Sequence, residues 1–188
     1  QLNFLVMNEE GYINLLYLSS ISHTSGNQPI GIYDKDLKQH TNGLICYIGG
    51  EYNPLLILKH QNKIEEISVF IKNFQKIFEQ DFLFEIQRIQ DQKIDEFEKE
   101  FLEYSQNFKI PIIGSNNVKY ENANDYNAHD ALLCIAQKMT INQTNRIVSN
   151  SEIYFKTSDQ MINIFEDIPD IIENNFRIAI KCNYYPKE

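Results

Sequence analysis

The sequence predicts an α/β fold built on one largely parallel sheet, and three observations predict it. Short apolar runs recur along the chain, as in GLICYI (43–48), DFLFEIQ (81–87) and IPII (110–113). Stretches of helical periodicity and ordinary length lie between them, at 62–78 and 93–108. The run 109–138, KIPIIGSNNVKYENANDYNAHDALLCIAQK, reads as strand, polar loop and helix in direct succession. That alternation predicts βαβ units with right-handed crossovers. A parallel strand of this kind keeps its chemistry at the carboxyl end, here residues 115–120.

Each element follows from its own residues. The apolar run LNFLVM (2–7) has strand propensity. From Glu9 to Ile21 a helix carries Tyr12, Ile13, Leu15, Leu16 and Leu18 at helical spacing, with Gly11 tolerated in its first turn. After a loop around Gly26 and Pro29, a charged piece at 33–40 makes one or two helical turns, and 43–48 is the next strand. Asn53 caps, and Pro54 opens, a short helix in PLLILK. Asn62 is placed to cap a longer one whose core stripe is Ile64, Ile67, Ile71, Phe74 and Phe78. A strand at 81–87 precedes a helix at 93–108 that turns Ile94, Phe97, Phe101, Tyr104 and Phe108 inward. In the helix from about Asp125, the apolar face is Ala128, Ala131, Leu132, Ile135 and Ala136. Residues 140–151 read as a polar surface loop, 152–156 as a short edge strand, and Ser158 as a helix cap. Pro169 opens a last helix through Lys181 that buries Ile172, Phe176, Ala179 and Ile180.

Composition sets the bounds on function. A chain of 188 residues, 43% hydrophobic and with 12 Phe and 11 Tyr, is long enough for one well-buried core, hence one domain. The net charge of -9 argues against this surface as a grip on nucleic acid, because phosphate binding needs a basic stripe. Cys46, Cys134 and Cys182 lie far apart without a CxxC pair and read as buried reduced thiols, which with the lack of a signal-like opening fits a cytoplasmic protein. No apolar run approaches the roughly 20 residues of a membrane span.

The order of GSNNVKY, a short acidic or amide loop and AHDALLCI resembles the end of the polymerase and histidinol-phosphatase (PHP) domain in the α subunit of bacterial DNA polymerase III. Other pieces fall in that family's order. NEEGYINLLYLSS (8–20) resembles its N-E-x-G-Y-x-N-L-x-x-L-x-S helix, and GLICYIG (43–49) its G-L-I-x-L-S-G strand. DQMINIFEDIPDIIENNFRIAIKC (159–182) resembles its closing helices, E-M-x-x-L-F-x-D-I-P-E-A-x-x-N-T-x-x-I-A-x-x-C. The resemblance runs nearly end to end. It implies that the whole chain is a single PHP fragment, the later part of a distorted (β/α)7 barrel with mostly parallel strands, lacking the amino-terminal strands and the polymerase palm and fingers.

Domains of this family gather His, Asp, Glu and Cys side chains around metal ions, and the resemblance implies that this chain has lost that site. The family's late D-x-H pair falls on Asn117 and Lys119. A carboxylate thus becomes an amide, and an imidazole becomes a cation that repels a metal. The Cys that often follows L-S-G falls on Gly50, and the His of E-L-Q-D-H falls on Ile89. The family's H-x-H and acidic motifs are absent from the sequence. No catalytic, cofactor-binding or metal residue is therefore assigned.

His129 and Asp130 are adjacent on a helix, so they point about 100° apart and do not face one another. A buried hydrogen-bonding role is the expectation. Glu51, His60 and His23 have no partner at ligand spacing, and Ser115 lacks a G-x-S-x-G setting.

The leading expectation is a segment of a replicative DNA polymerase whose PHP portion has a structural or docking role, binding the proofreading exonuclease and other replicase subunits. The whole protein would extend primers with palm carboxylates and magnesium, meeting DNA through its other parts. A freestanding metal-dependent PHP phosphoesterase is the alternative, and a plain acidic interaction module of α/β type is a third reading.

Overall fold

The short apolar runs build the sheet, buried on both faces in its parallel strands. In a computed structural model describing residues 2–24 and 31–186, β1 (Asn3–Val6), β2 (Leu44–Gly49), β3 (Phe82–Gln87) and β4 (Ile112–Ser115) lie side by side in that order. β2, β3 and β4 are parallel, with Cys46 opposite Phe82 and Phe84 opposite Ile112. β1 runs antiparallel to β2, pairing Phe4 with Cys46. The sheet is thus mostly parallel with a reversed first strand, because apolar content fixes a strand's burial and not its direction. The predicted loop around Gly26 and Pro29 falls outside the described residues.

Alternate side chains leave the sheet on opposite faces. Cys46, Ile48, Phe82, Phe84, Ile86 and Ile112 join the main core. There they meet Leu55 and Leu56 of α3 (Pro54–His60), Ile67, Ile71, Phe74 and Phe78 of α4 (Ile64–Phe78), and Phe97 and Phe101 of α5 (Gln92–Phe108). Ile45, Leu83 and Ile113 form a second, smaller cluster, against which Ile178 and Cys182 pack. Every residue of β3 is buried, as a central strand requires.

The helix ends explain themselves locally. Asn53 accepts a hydrogen bond from the Leu56 amide at 2.8 Å, with Pro54 at the first turn of α3. Asn62 closes α3 and does not open α4. Its φ of +57° and the Lys63 amide bonded back to the Leu58 carbonyl make it the left-handed stop that an asparagine tolerates. Gly11, in α1 (Glu9–Thr24), is there for space: a Cβ on it would lie 1.9 Å from the Gly43 carbonyl oxygen. The short charged piece is α2 (Asp34–Gln39). Thr157, one residue earlier than expected, caps α7 (Ser158–Ile164), forming a capping box with Gln160. The 152–156 stretch is reduced to a single bridge between Tyr154 and Tyr120.

Burial departs from the sequence pattern in several helices. Ile64 is exposed at the start of α4, before the stripe reaches the sheet, and Ile13 and Leu16 are exposed on α1. In α6 (Tyr126–Gln137) the apolar positions Ala128, Ala131, Leu132, Ile135 and Ala136 are all exposed, and Asp130 and Cys134 are the buried pair. In α8 (Asp170–Lys181) Ile171 is buried and Ile172 half-buried, but Phe176, Ala179 and Ile180 face outward. Asparagines account for part of that rotation. The Asn175 side chain accepts from the Gly114 amide and donates to the Gly114 carbonyl, and Asn174 donates to the Ile112 carbonyl. Together they pair the backbone edge of β4 as a neighbouring strand would. Cys46 and Cys134 are buried as expected, whereas Cys182 is only half-buried.

Candidate functional site

The carboxyl ends of the three parallel strands open into a cleft of about 740 Å³. Its floor comes from β3. Phe82, Phe84 and Ile86 enter the main core, so Leu83, Glu85 and Gln87 take the other face. Leu83 joins the smaller cluster, and Glu85 and Gln87 line the cleft. Gly49 stands opposite Glu85 in the ladder, and a Cβ on Gly49 would fall 2.5 Å from the Glu85 Cβ. A side chain at Gly49 would displace the carboxylate.

Glu85 is 7% exposed. Burial pushes its carboxyl up from the ordinary range, only partly offset by hydrogen bonds from Ser115 and from Gln87 Nε2, the latter at 3.0 Å. The Tyr47 hydroxyl, across the ladder from β3, is pushed up by burial and then by the Glu85 charge. The environment therefore disfavours negative charge.

Past β4 the chain leaves through Asn116, Asn117 and Lys119. Asn116 is buried and its Nδ2 donates to the carbonyls of Glu152 and Tyr154, at 2.9 and 2.6 Å. The Lys119 amide donates to the Ile153 carbonyl. Asn117 takes a left-handed φ of +46° and lines the cleft with Lys119. Ile89, at the end of β3, and Gly50, at the end of β2, line it too. The four positions singled out in the sequence are thus brought to one place.

The far wall comes from α6 and the following loop. Asp130, 4% exposed, accepts from both Arg146 terminal nitrogens, at 2.7 and 2.8 Å, and from the Ser149 amide at 2.9 Å. The Arg146 guanidinium holds the Asp130 carboxyl below the usual carboxylate range. His129 Nδ1 lies 2.7 Å from Ser149 Oγ, so both residues pin the loop by hydrogen bonds, Asp130 buried as expected and His129 only half-buried. Asn150 donates to the Ile89 carbonyl and accepts from the Tyr120 hydroxyl at its own carbonyl, tying this wall to β3 and to the segment after β4. Sequence reasoning missed Glu85, Gln87 and Arg146. An acidic residue inside an apolar strand run was the available signal for the first of them.

Among the described residues no three His, Cys, Asp or Glu side chains converge to hold a metal ion. Of the other residues weighed from sequence, Glu51 is at the rim of the cleft, while His23 and His60 are exposed ends of α1 and α3 and do not line it. No described helix is long and apolar enough to cross a membrane.

Comparison with known proteins shows what the chain as a whole is similar to. Residues 1–89 match the PHP domain family, which takes in β1 to β3 and Ile89. The chain is 34% identical over 185 residues to a DNA polymerase III α subunit of Rickettsia bellii, covering 96% of this chain and 16% of that protein. It is 38% identical over 186 residues to that of Borreliella burgdorferi, covering 95% and 16%, and 33% identical to that of Helicobacter pylori. The chain spans about 16% of the length of the first two relatives. Nearly all of this chain is therefore related to one continuous stretch of the bacterial DNA polymerase III α subunit, with the PHP domain match over its first 89 residues.

Proposed function

We propose that this chain is a PHP segment of a replicative DNA polymerase, metal-degenerate and structural, with the chemistry of the whole protein carried elsewhere. The observation that carries the reading is the cleft. Gly50, Ile89, Asn117 and Lys119, the family's ligand positions, line one cavity, and none offers a metal an anionic or imidazole donor. The donor set does not fit a divalent ion, since Glu85 is hydrogen-bonded to neutral groups and Lys119 adds a positive charge. The sheet is read as the later part of a distorted (β/α)7 barrel, and the single-domain reading of residues 1–188 goes with it. The parent protein is a DNA-directed DNA polymerase acting in the cytoplasm, with magnesium in its palm. It meets DNA through other parts and joins the proofreading exonuclease and other replicase subunits, for which this segment is a docking body.

The freestanding phosphoesterase alternative predicts turnover. Incubating the purified chain with bis-(p-nitrophenyl) phosphate and manganese or zinc separates the two readings. No hydrolysis above the metal-only rate is expected, and saturable, chelator-sensitive turnover would overturn the degenerate reading.

A further inference from the structure

We propose that the cleft binds an organic cation, a primary ammonium or guanidinium group, with the Glu85 carboxylate as its counter-charge. The inference rests on the reading above that the cleft holds no metal.

Three observations lead there. The first is the setting of Glu85. Its side chain sits on the floor of the cleft, nine-tenths removed from solvent, and its hydrogen-bond partners Gln87 and Ser115 are neutral. Burying a carboxylate among neutral donors is costly, and a bound cation offsets that cost as no neutral ligand can. Burial disfavours the charged form of this carboxyl, and a cation brought beside it would favour that form.

The second is shape. At about 740 Å³ the cleft is in the range of small-molecule sites, roughly 300–1,000 Å³. Gly49 and Gly50 place no side chain over the floor, so a slender cationic head can reach Glu85.

The third is charge. The carboxylates lining the cleft are Glu51, Glu85 and Asp91, against Lys119 and the imidazole of His129. Phosphates and other anions meet an unfavourable balance there, and the chain as a whole carries -9. A divalent ion needs several converging anionic donors, which the described residues lack. An ammonium or guanidinium needs only one carboxylate and a few carbonyl acceptors, such as the amides of Gln87 and Asn117. Lys119 is exposed at the rim and opposes the ligand's charge, so it weakens binding without abolishing it.

Calorimetric titration of the chain tests this with four probes: agmatine, the blocked tripeptide acetyl-Gly-Arg-Gly-amide, manganese chloride and inorganic phosphate. Agmatine or the tripeptide is expected to bind one to one. Glu85→Gln should weaken that binding at least tenfold, and Lys119→Ala should tighten it. Tighter binding of agmatine points to a free small-molecule amine or guanidine, and tighter binding of the tripeptide to an arginine on a partner protein; either supports the site. Failure of both cationic probes, or binding indifferent to Glu85→Gln, overturns the inference and leaves the metal-degenerate reading standing. Manganese binding that Glu85→Gln abolishes overturns that reading instead. Amide chemical shifts of the unsubstituted chain give a check that needs no variant: agmatine should move Gly49, Gly50, Glu85 and Gln87, and shifts confined to other residues contradict the proposal.

Discussion

α4 and α6 carry the same kind of sequence signal and meet opposite fates. Both show apolar residues at helical spacing. In α4 the stripe of Ile67, Ile71, Phe74 and Phe78 is buried against the sheet, with Phe74 stacked on Phe70 and tilted against Phe82. In α6 the apolar face of Leu132 and Ile135 is 62% and 74% exposed, and the helix is held by its other side, where Asp130 meets Arg146 and Ser149. Periodicity therefore identifies a face and does not say which face has a partner. A paired, hydrogen-bonded carboxylate can win the inward position when a cation and a backbone amide are both supplied by a neighbouring loop.

Substitutions can break the comparison, and they rank by size. Phe74→Ala should cost about 3–5 kcal/mol in chemical denaturation, since it empties a site among packed rings. A loss below about 1 kcal/mol would mean the α4 face is not the core. Asp130→Asn comes next. It leaves the Arg146 guanidinium with no anion and should lower the melting temperature clearly while raising amide exchange at 146–149.

The pH dependence of that second variant carries a sign. The folded Asp130 carboxyl lies below its unfolded value near about 3.9. Its stabilisation is thus fully present above about 3.9 and is lost as pH falls through the lower folded value. The variant should lack that portion of the acid limb. An unchanged acid limb would count against the pair's role.

A smaller effect of opposite sign is expected at Glu85. Its folded carboxyl lies above the unfolded value of about 4.3, so stability falls as pH rises from there and the penalty is complete once pH has passed through the folded value. Glu85→Gln should raise the melting temperature by a few degrees at neutral pH, and the gain should vanish below about 4.3. Melting curves at several pH values decide it. The smallest effect belongs to the outward face of α6: Ile135→Ser should stay within about 0.5 kcal/mol of the parent chain. A large loss there would restore the sequence reading of the apolar face.

Much of the architecture was legible because it depends on local chemistry. The strands at 43–48 and 81–87, the Asn53 cap with Pro54, and the α4 and α5 stripes follow from propensity and period, and burial agrees with them except at Ile64. Residues 115–120 were legible by position as the carboxyl end of a parallel strand, and Asn117 and Lys119 there line one cleft with Gly50 and Ile89, which only the family resemblance had picked out. What stayed hidden depends on partners distant in sequence. Arg146 lies in a polar loop that shows no periodicity, yet it sets which side of α6 is buried. Asn174 and Asn175 look like ordinary helix polar residues, yet they hold the edge of β4 and turn Phe176 and Ile180 away from it. Glu85 was hidden inside a hydrophobic run, where its pairing with Gln87 and the opening at Gly49 become visible only in the register of the sheet.

The central proposal is that the cleft lined by Gly50, Ile89, Asn117 and Lys119 does not hold a metal ion. Elemental analysis of the chain, purified without chelator and passed through gel filtration in metal-free buffer, tests it most directly. The account predicts well under one equivalent of zinc, manganese or iron per chain. One or more tightly held ions per chain, lost on Glu85→Gln, would contradict it.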